Sequence, residues 1–168
     1  GEFHICVKNK VRMDKIVLSG VNKEYEDVRY AMEQGVIHYT AESRRQFVLV
    51  HQCAEEMGKT VEILLRVTSG NQFGMSEEDV RDLIRQQQAY PYLRIMGLQY
   101  FTGTQKKNME KIAKEVEYIE DLICRLQEEE GFETRILEFG PGLGVPYFTK
   151  DEKDGDVKLL EEFRALFQ

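Results

Sequence analysis

No apolar run in these 168 residues approaches the roughly 18–20 that a membrane-spanning helix needs. The N-terminal "GEFHICVKNK" also lacks the charged-then-apolar order of a secretory leader. Cysteine is scarce: Cys6, Cys53 and Cys124 are widely spaced, with no CxxC pair. An odd count without a framework speaks against a disulfide scaffold and fits a reducing, cytoplasmic setting. His4, His38 and His51 form no metal-ligand spacing with one another or with the cysteines. Basic clusters are absent as well, and 30 acidic against 23 basic side chains leave a formal net charge of −7. That balance argues against nucleic acid as the main partner. What remains is an ordinary globular composition, 42% hydrophobic and 32% charged, in a length that suits one domain.

The order of elements says more than the composition. Five segments read as strands: "KIVLSG" (15–20), "VIHYTA" (36–41), "VEILLRVT" (61–68), "LRIMGLQYF" (93–101) and "TRILEFG" (134–140). The third is a continuous apolar run, the pattern of a strand covered on both faces of a parallel sheet. Helical spacing fills the gaps. Val28, Ala31 and Met32 precede Gly35, placed as a C′ glycine, and Phe47, Val50 and Ala54 mark a helix over 42–59. "SEED" offers Ser76 as an N-cap with Asp79 three residues on, for a helix that ends near Pro91. Ile112, Val116, Ile119, Leu122, Ile123 and Leu126 stripe a long helix over 108–130, which Gly131 ends, and a last helix covers 157–167.

Strands that alternate with helices of ten or more residues mean a parallel sheet with right-handed crossovers. With no GxGxxG after the first strand, the regular alternation favours part of a (β/α)8 TIM barrel over a doubly wound sheet. A full barrel takes about 250 residues, so about five βα units fit here. An open five-stranded α/β sheet is the alternative. In barrels the chemistry sits on the loops after the strands. Those loops are "SGVNK", "TAES", "VTSGNQFG", "FTGTQKK" and "GPGLGVPYF".

Glycine-rich turns expose backbone N–H groups, and a following helix N-terminus adds partial positive charge, so such loops bind phosphate without lysine. Thr102 and Thr104 add hydroxyl donors, Gly103 allows close approach, and two loops on consecutive strands converge on one phosphate. A plainer reading has Gly140, Gly142 and Gly144 only making turns and tight contacts, and Pro141 removes one donor. Both readings stand on the glycines alone. Arg66, inside an apolar run, needs a partner: an ion pair with Glu42 or Glu138, or a ligand. His38 reads as a satisfied histidine and Cys124 as buried packing.

The segments "KIVLSGVNKEYEDVRYAMEQGV", "LLRVT", "NQFGM", "GLQYFTGTQ" and "LEFGPGLGVPY" run in an order that resembles the fold-type III pyridoxal-phosphate (PLP) decarboxylases. The diaminopimelate and ornithine decarboxylase branch is the most similar. The resemblance implies the alanine racemase-like barrel, with PLP as cofactor and a small amino acid as substrate. It implies removal of CO2 from a basic or diamino acid, and a homodimer. By position, Gly140, Pro141 and Gly142 match the family's glycine-rich phosphate loop, with proline where glycine is usual. Thr104 matches a phosphate-binding serine, and Phe101 falls where a histidine stacks on the pyridine ring. Glu2 matches a glutamate near the cofactor, and Arg66 an arginine on a barrel strand.

The same resemblance implies absences. The lysine that carries the family's cofactor belongs to a "YAxKAN"-like strand before Gly1, and Lys8 in "CVKNK" comes too late in the order. The "EPGR" segment and the second domain with its "CxD" segment belong after Gln168. Residues 1–168 are thus expected to be an incomplete barrel domain with no catalytic residue of their own. A non-catalytic barrel for PLP or another phosphate ligand, or an inactive interaction partner, is the alternative to a decarboxylase.

Overall fold

The computed structural model describes residues 1–144 and 154–166. Residues 145–148 of the glycine-rich stretch, and Phe167 of the expected last helix, lie outside them. Five strands, β1 (Val17–Leu18), β2 (His38–Ala41), β3 (Val61–Val67), β4 (Leu93–Phe101) and β5 (Ile136–Gly140), pair in parallel in the order 1-2-3-4-5. Around them run α1 (Glu2–Lys8), α2 (Tyr25–Glu33), α3 (Arg44–Glu56), α4 (Glu77–Arg85), α5 (Met109–Glu130) and α6 (Asp154–Ala165). The strand order decides between the two architectures left open above. When each right-handed crossover steps to the next strand in one direction, its helices gather on one face. A doubly wound sheet would reverse direction once. The protein is a curled partial (β/α)8 barrel.

Alternation along β3 shows what each face does. Val61, Ile63, Leu65 and Val67 are at most 1% exposed and meet the helices. Glu62, Leu64 and Arg66 point the other way, to the concave face. Side-chain caps start three helices just past βα loops: Ser43 accepts from Gln46 N–H, Ser76 from Asp79 N–H and Asn108 from Lys111 N–H, at 3.1–3.2 Å. Each cap satisfies a donor that the helix leaves unpaired.

A bulge in β4 shapes everything above it. Ile63 pairs with Ile95, but Leu64 pairs with Gly97, so Met96 is the extra residue. Below the bulge, Leu93 and Ile95 are the buried residues on the helix side; above it, Leu98 and Tyr100 take over. The parity of the strand has flipped, as an inserted residue requires. Gln99 is thereby turned to the concave face beside Arg66.

Some boundaries differ from expectation. β1 has two residues rather than six, because a 3-10 turn (Met13–Lys15) comes before it and the chain turns away at Ser19 and Gly20. α4 stops at Arg85, and a separate 3-10 turn (Gln87–Ala89) carries the chain towards Pro91. Cys124 is exposed, not buried: two residues beyond Leu122, it projects from the opposite side of α5. Cys53 is the buried thiol, and burial pushes it from an ordinary 9.0 up to about 11. A raised thiol supports folding fully below pH 9 and loses that contribution as the pH climbs towards 11. With a thiol-reactive chromophore at pH 8, Cys124 is expected to react at once, and Cys53 only when denaturant is added. Immediate reaction of all three thiols in the native protein would contradict this packing.

Candidate functional site at the carboxyl ends of the strands

Four polar side chains form one row across the top of the concave face. Arg66 is level with Gln99, Gln99 with Glu138, and Glu42 follows directly on the Ala41–Leu65 pair. They line a cavity of about 440 Å³ together with Ser19, Gly20, Val21, Phe101, Phe139 and Gly140. A cavity of about 480 Å³ lies at the other end of the concave face, where His38 Nδ1 meets Glu62 Oε2 at 3.0 Å. Parallel barrels carry their chemistry at the carboxyl ends, so the upper cavity is the candidate.

Arg66 resolves the choice left open by the sequence. Its Nη1 lies 2.5 Å from Glu42 Oε2, with side chains only 11% and 5% exposed. Its guanidinium also lies over two rings, 5.5 Å from the centre of Phe73 and 5.7 Å from that of Phe101. Cation–π contact of this kind is worth about 0.5–2 kcal/mol. Phe101 itself rests on Gly140: a Cβ added there would come within 2.6 Å of its ring. With 37% of its surface exposed, the ring forms a wall of the cavity.

The two glycine loops are joined. Thr102 N–H donates to Gly140 C=O, Lys106 N–H to Gly142 C=O, and Gly144 N–H to Lys106 C=O. Gly142 has φ +68, and a Cβ on it would sit 1.7 Å from the Gly103 carbonyl oxygen. Only glycine fits there. Thr104, exposed, is next to the same point. Among the described residues no acceptor is paired with the N–H groups of Gly103, Thr104, Gly142 or Leu143. Free backbone N–H groups at glycine-rich turns are the kind of donor that binds anions.

Two side chains here have other work than expected. The Thr102 hydroxyl faces the carbonyls of Gly140 and Pro141 at 3.4 Å, so it ties the loops instead of facing a ligand. Lys106 had no role in the sequence reading. Its Nζ donates to Thr102 Oγ1 and to both oxygens of Glu115, which neutralises its charge beside the loops. Glu2 is not part of the cavity. It is exposed in the first turn of α1, whose Phe3 and His4 rings pack on Tyr30 of α2.

The sequence reading also missed a buried network on the β1 side. Lys23, 6% exposed, donates to Gly20 C=O at 2.7 Å and to Thr40 Oγ1 and Gln46 Oε1 at 3.3 Å. Burial lowers its amine to about 8, partly opposed by Glu42 and aided by Arg66. Thr40 Oγ1 donates to Ser19 Oγ, and Gln99 Nε2 donates to Ser19 Oγ and to Glu138 Oε1. The only hint in the sequence was a lone lysine in "SGVNK", between a strand and a helix.

Among the described residues no group of three metal-ligating side chains exists, and no helix is long and apolar enough to cross a membrane. Residues 1–166 match the family model for the pyridoxal-dependent decarboxylases, in its pyridoxal binding domain. A diaminopimelate decarboxylase from Zymomonas mobilis is 28% identical, over 91% of this chain and 39% of its own. An L-glutamyl-[BtrI acyl-carrier protein] decarboxylase from Niallia circulans is 27% identical, over 90% and 39%. This chain thus spans about two fifths of those relatives. Among solved structures, diaminopimelate decarboxylase from M. jannaschii with L-lysine superposes with a TM-score of 0.79 at 22% identity, over 98% of this chain and 43% of that one. A lysine/ornithine decarboxylase from Vibrio vulnificus with putrescine reaches 0.80 at 21%, over 99% and 44%.

Proposed function

Since this chain belongs to the pyridoxal-dependent decarboxylases, we propose that its upper cavity holds pyridoxal 5′-phosphate in an enzyme that removes CO2 from a basic or diamino acid. The observation that carries the reading is the set of N–H donors at the joined loops. Four backbone N–H groups without described acceptors lie on the two loops that follow Phe101 and Gly140 of the cavity lining, with glycine where any Cβ would fill the space. Those features fit a phosphate and an aromatic ring.

Gly103, Thr104, Gly142 and Leu143 would bind the phosphate through their N–H groups, with the Thr104 hydroxyl beside them. Phe101 would lie against the ring, and Arg66, held by Glu42 and Phe73, would keep that wall in place. Pyridoxal phosphate supplies an electron sink for the electrons left when CO2 departs. The role of this chain's residues is to hold, orient and shield. A homodimer working in the cytoplasm on a small amino acid completes the proposal.

The test is reconstitution of the intact protein with pyridoxal phosphate, followed by absorbance and by CO2 release from diaminopimelate, lysine and ornithine. Spectral binding together with CO2 release is expected. Binding without CO2 release would instead favour a non-catalytic ligand barrel, the reading supported by Phe101 and Pro141 at positions that resemble the family's histidine and glycine. No binding at saturating cofactor would reject both. Gly142→Ala should weaken binding at least tenfold in the same titration, because the methyl group must push Gly103 out of place. An unchanged affinity would show that the phosphate binds elsewhere.

A further inference from the structure

Counting protons in the β1-side network leaves one donor without a partner. Ser19 Oγ accepts from Thr40 Oγ1 at 3.0 Å and from Gln99 Nε2 at 3.3 Å. A hydroxyl oxygen has two lone pairs, and both are taken. The Ser19 proton must therefore point elsewhere, and among the described residues no acceptor is paired with it. Ser19 is exposed and lines the upper cavity.

The direction of that donor is set from behind. The three N–H bonds of the Lys23 ammonium go to Gly20 C=O, Thr40 Oγ1 and Gln46 Oε1. Thr40 is 0% exposed and, among the described residues, its hydroxyl has no paired acceptor other than Ser19 Oγ, so it gives its proton to Ser19. A neutral amine has two N–H groups and one lone pair, so it keeps all three contacts only if one of them reverses. Gly20 C=O and Gln46 Oε1 have no proton to give. Thr40 does, so a reversal falls on Thr40: its proton turns to Lys23, its oxygen becomes free to accept, and the Ser19 proton turns inward to it.

We propose that Ser19 is a ligand-contacting residue whose hydroxyl donates to an anionic oxygen of the molecule in the upper cavity, with Lys23 as the residue that positions this donor. The inference rests on the pyridoxal-phosphate reading and deepens it. The oxygen belongs either to the hydroxyl of the cofactor ring or to the carboxylate of the amino acid. Lys23 carries its charge below about pH 8 and loses it above. Glu42 and Arg66 are the charged groups that act on it, with opposite signs. Ligand binding through Ser19 accordingly weakens as the pH rises through 8.

The experiment uses calorimetry from pH 6.5 to 9.5 on the intact protein and its Ser19→Ala and Ser19→Thr variants. The probes are pyridoxine 5′-phosphate, which has no aldehyde to react with lysines, and then L-lysine added to the protein loaded with pyridoxal phosphate. Equal thermal midpoints show that the exposed position leaves the fold intact. One hydrogen bond predicts about a three- to tenfold loss in Ser19→Ala near pH 7, with Ser19→Thr restoring binding. The difference between unaltered and Ser19→Ala affinities should shrink above pH 8, a comparison in which the probe's own titration cancels. A loss with pyridoxine 5′-phosphate assigns the cofactor oxygen, and a loss with L-lysine alone assigns the carboxylate. Equal affinities for both probes would overturn the role of Ser19 while leaving the cofactor reading intact. A difference that stays constant across pH 8 would overturn the role of Lys23. Failure of the unaltered protein to bind pyridoxine 5′-phosphate would overturn this inference and the cofactor reading together.

Discussion

Gly97→Ala is expected to lower the unfolding free energy by about 3 kcal/mol or more, one of the two largest single-residue effects in this protein. Gly97 has φ +154, and an added Cβ would stand 1.9 Å from the carbonyl oxygen of Ile136. That atom belongs to the neighbouring backbone and has no rotamer to escape into. Relief means moving β5 away from β4, and Gly97–Ile136 is the first pair of that ladder. The bulge also sets the parity that faces Gln99 to Arg66, so the damage reaches the cavity. Chemical denaturation of the purified variant, monitored by far-UV circular dichroism, gives the free energy. A loss below about 1 kcal/mol would mean that β4 and β5 approach less closely than described.

Arg66→Met should cost about 3–5 kcal/mol, because it removes the partner of a carboxylate only 5% exposed. Glu42 Oε1 already has no described hydrogen-bond partner, so Arg66 is the main compensation for that buried charge. The pair therefore offers a sharp internal control. Arg66→Met combined with Glu42→Gln takes away both charges, and part of the lost stability should return, with a coupling of about 1–3 kcal/mol in the double-mutant cycle. The methionine keeps much of the packing against Phe73 and Phe101, so the cycle reports charge more than shape. If the double variant is as unstable as the sum of the single ones, Arg66 and Glu42 do not depend on each other. Pyridoxine 5′-phosphate binding by the double variant would then show whether the Phe101 wall survives without the cation.

Much of the architecture was legible in the residues themselves. Period-two and period-3.6 patterns, with Ser76, Gly35 and Gly131 as punctuation, placed five strands and the helices between them within a few residues. β4 matched its expected limits at both ends. Even its bulge left a trace: in "LRIMGLQYF" the buried apolar residues fall at Leu93 and Ile95 and then shift phase to Leu98 and Tyr100. The ordered motifs also carried the resemblance to the decarboxylase family, which the match over residues 1–166 bears out.

The local pattern stops at the edge of each element, because it records which face a residue takes and not which strand lies beside it. Strand order separated a curling barrel from a doubly wound sheet, and both have the same alternation of elements. Pairing across strands chose Glu42 for Arg66, although Glu138 had the same chemistry in the sequence. The burial of Lys23 arises from contacts 17 and 23 residues distant, with Thr40 and Gln46, which no short window contains. The stretch that read equally as turn or cradle is joined to the loop after β4 through Lys106 and Gly142, a pairing across strands that no short window contains. The sequence by itself determined the units, their order and the family. Tertiary pairing decided which side chains share a cavity, because register, burial and hydrogen-bond partners are properties of strands that meet.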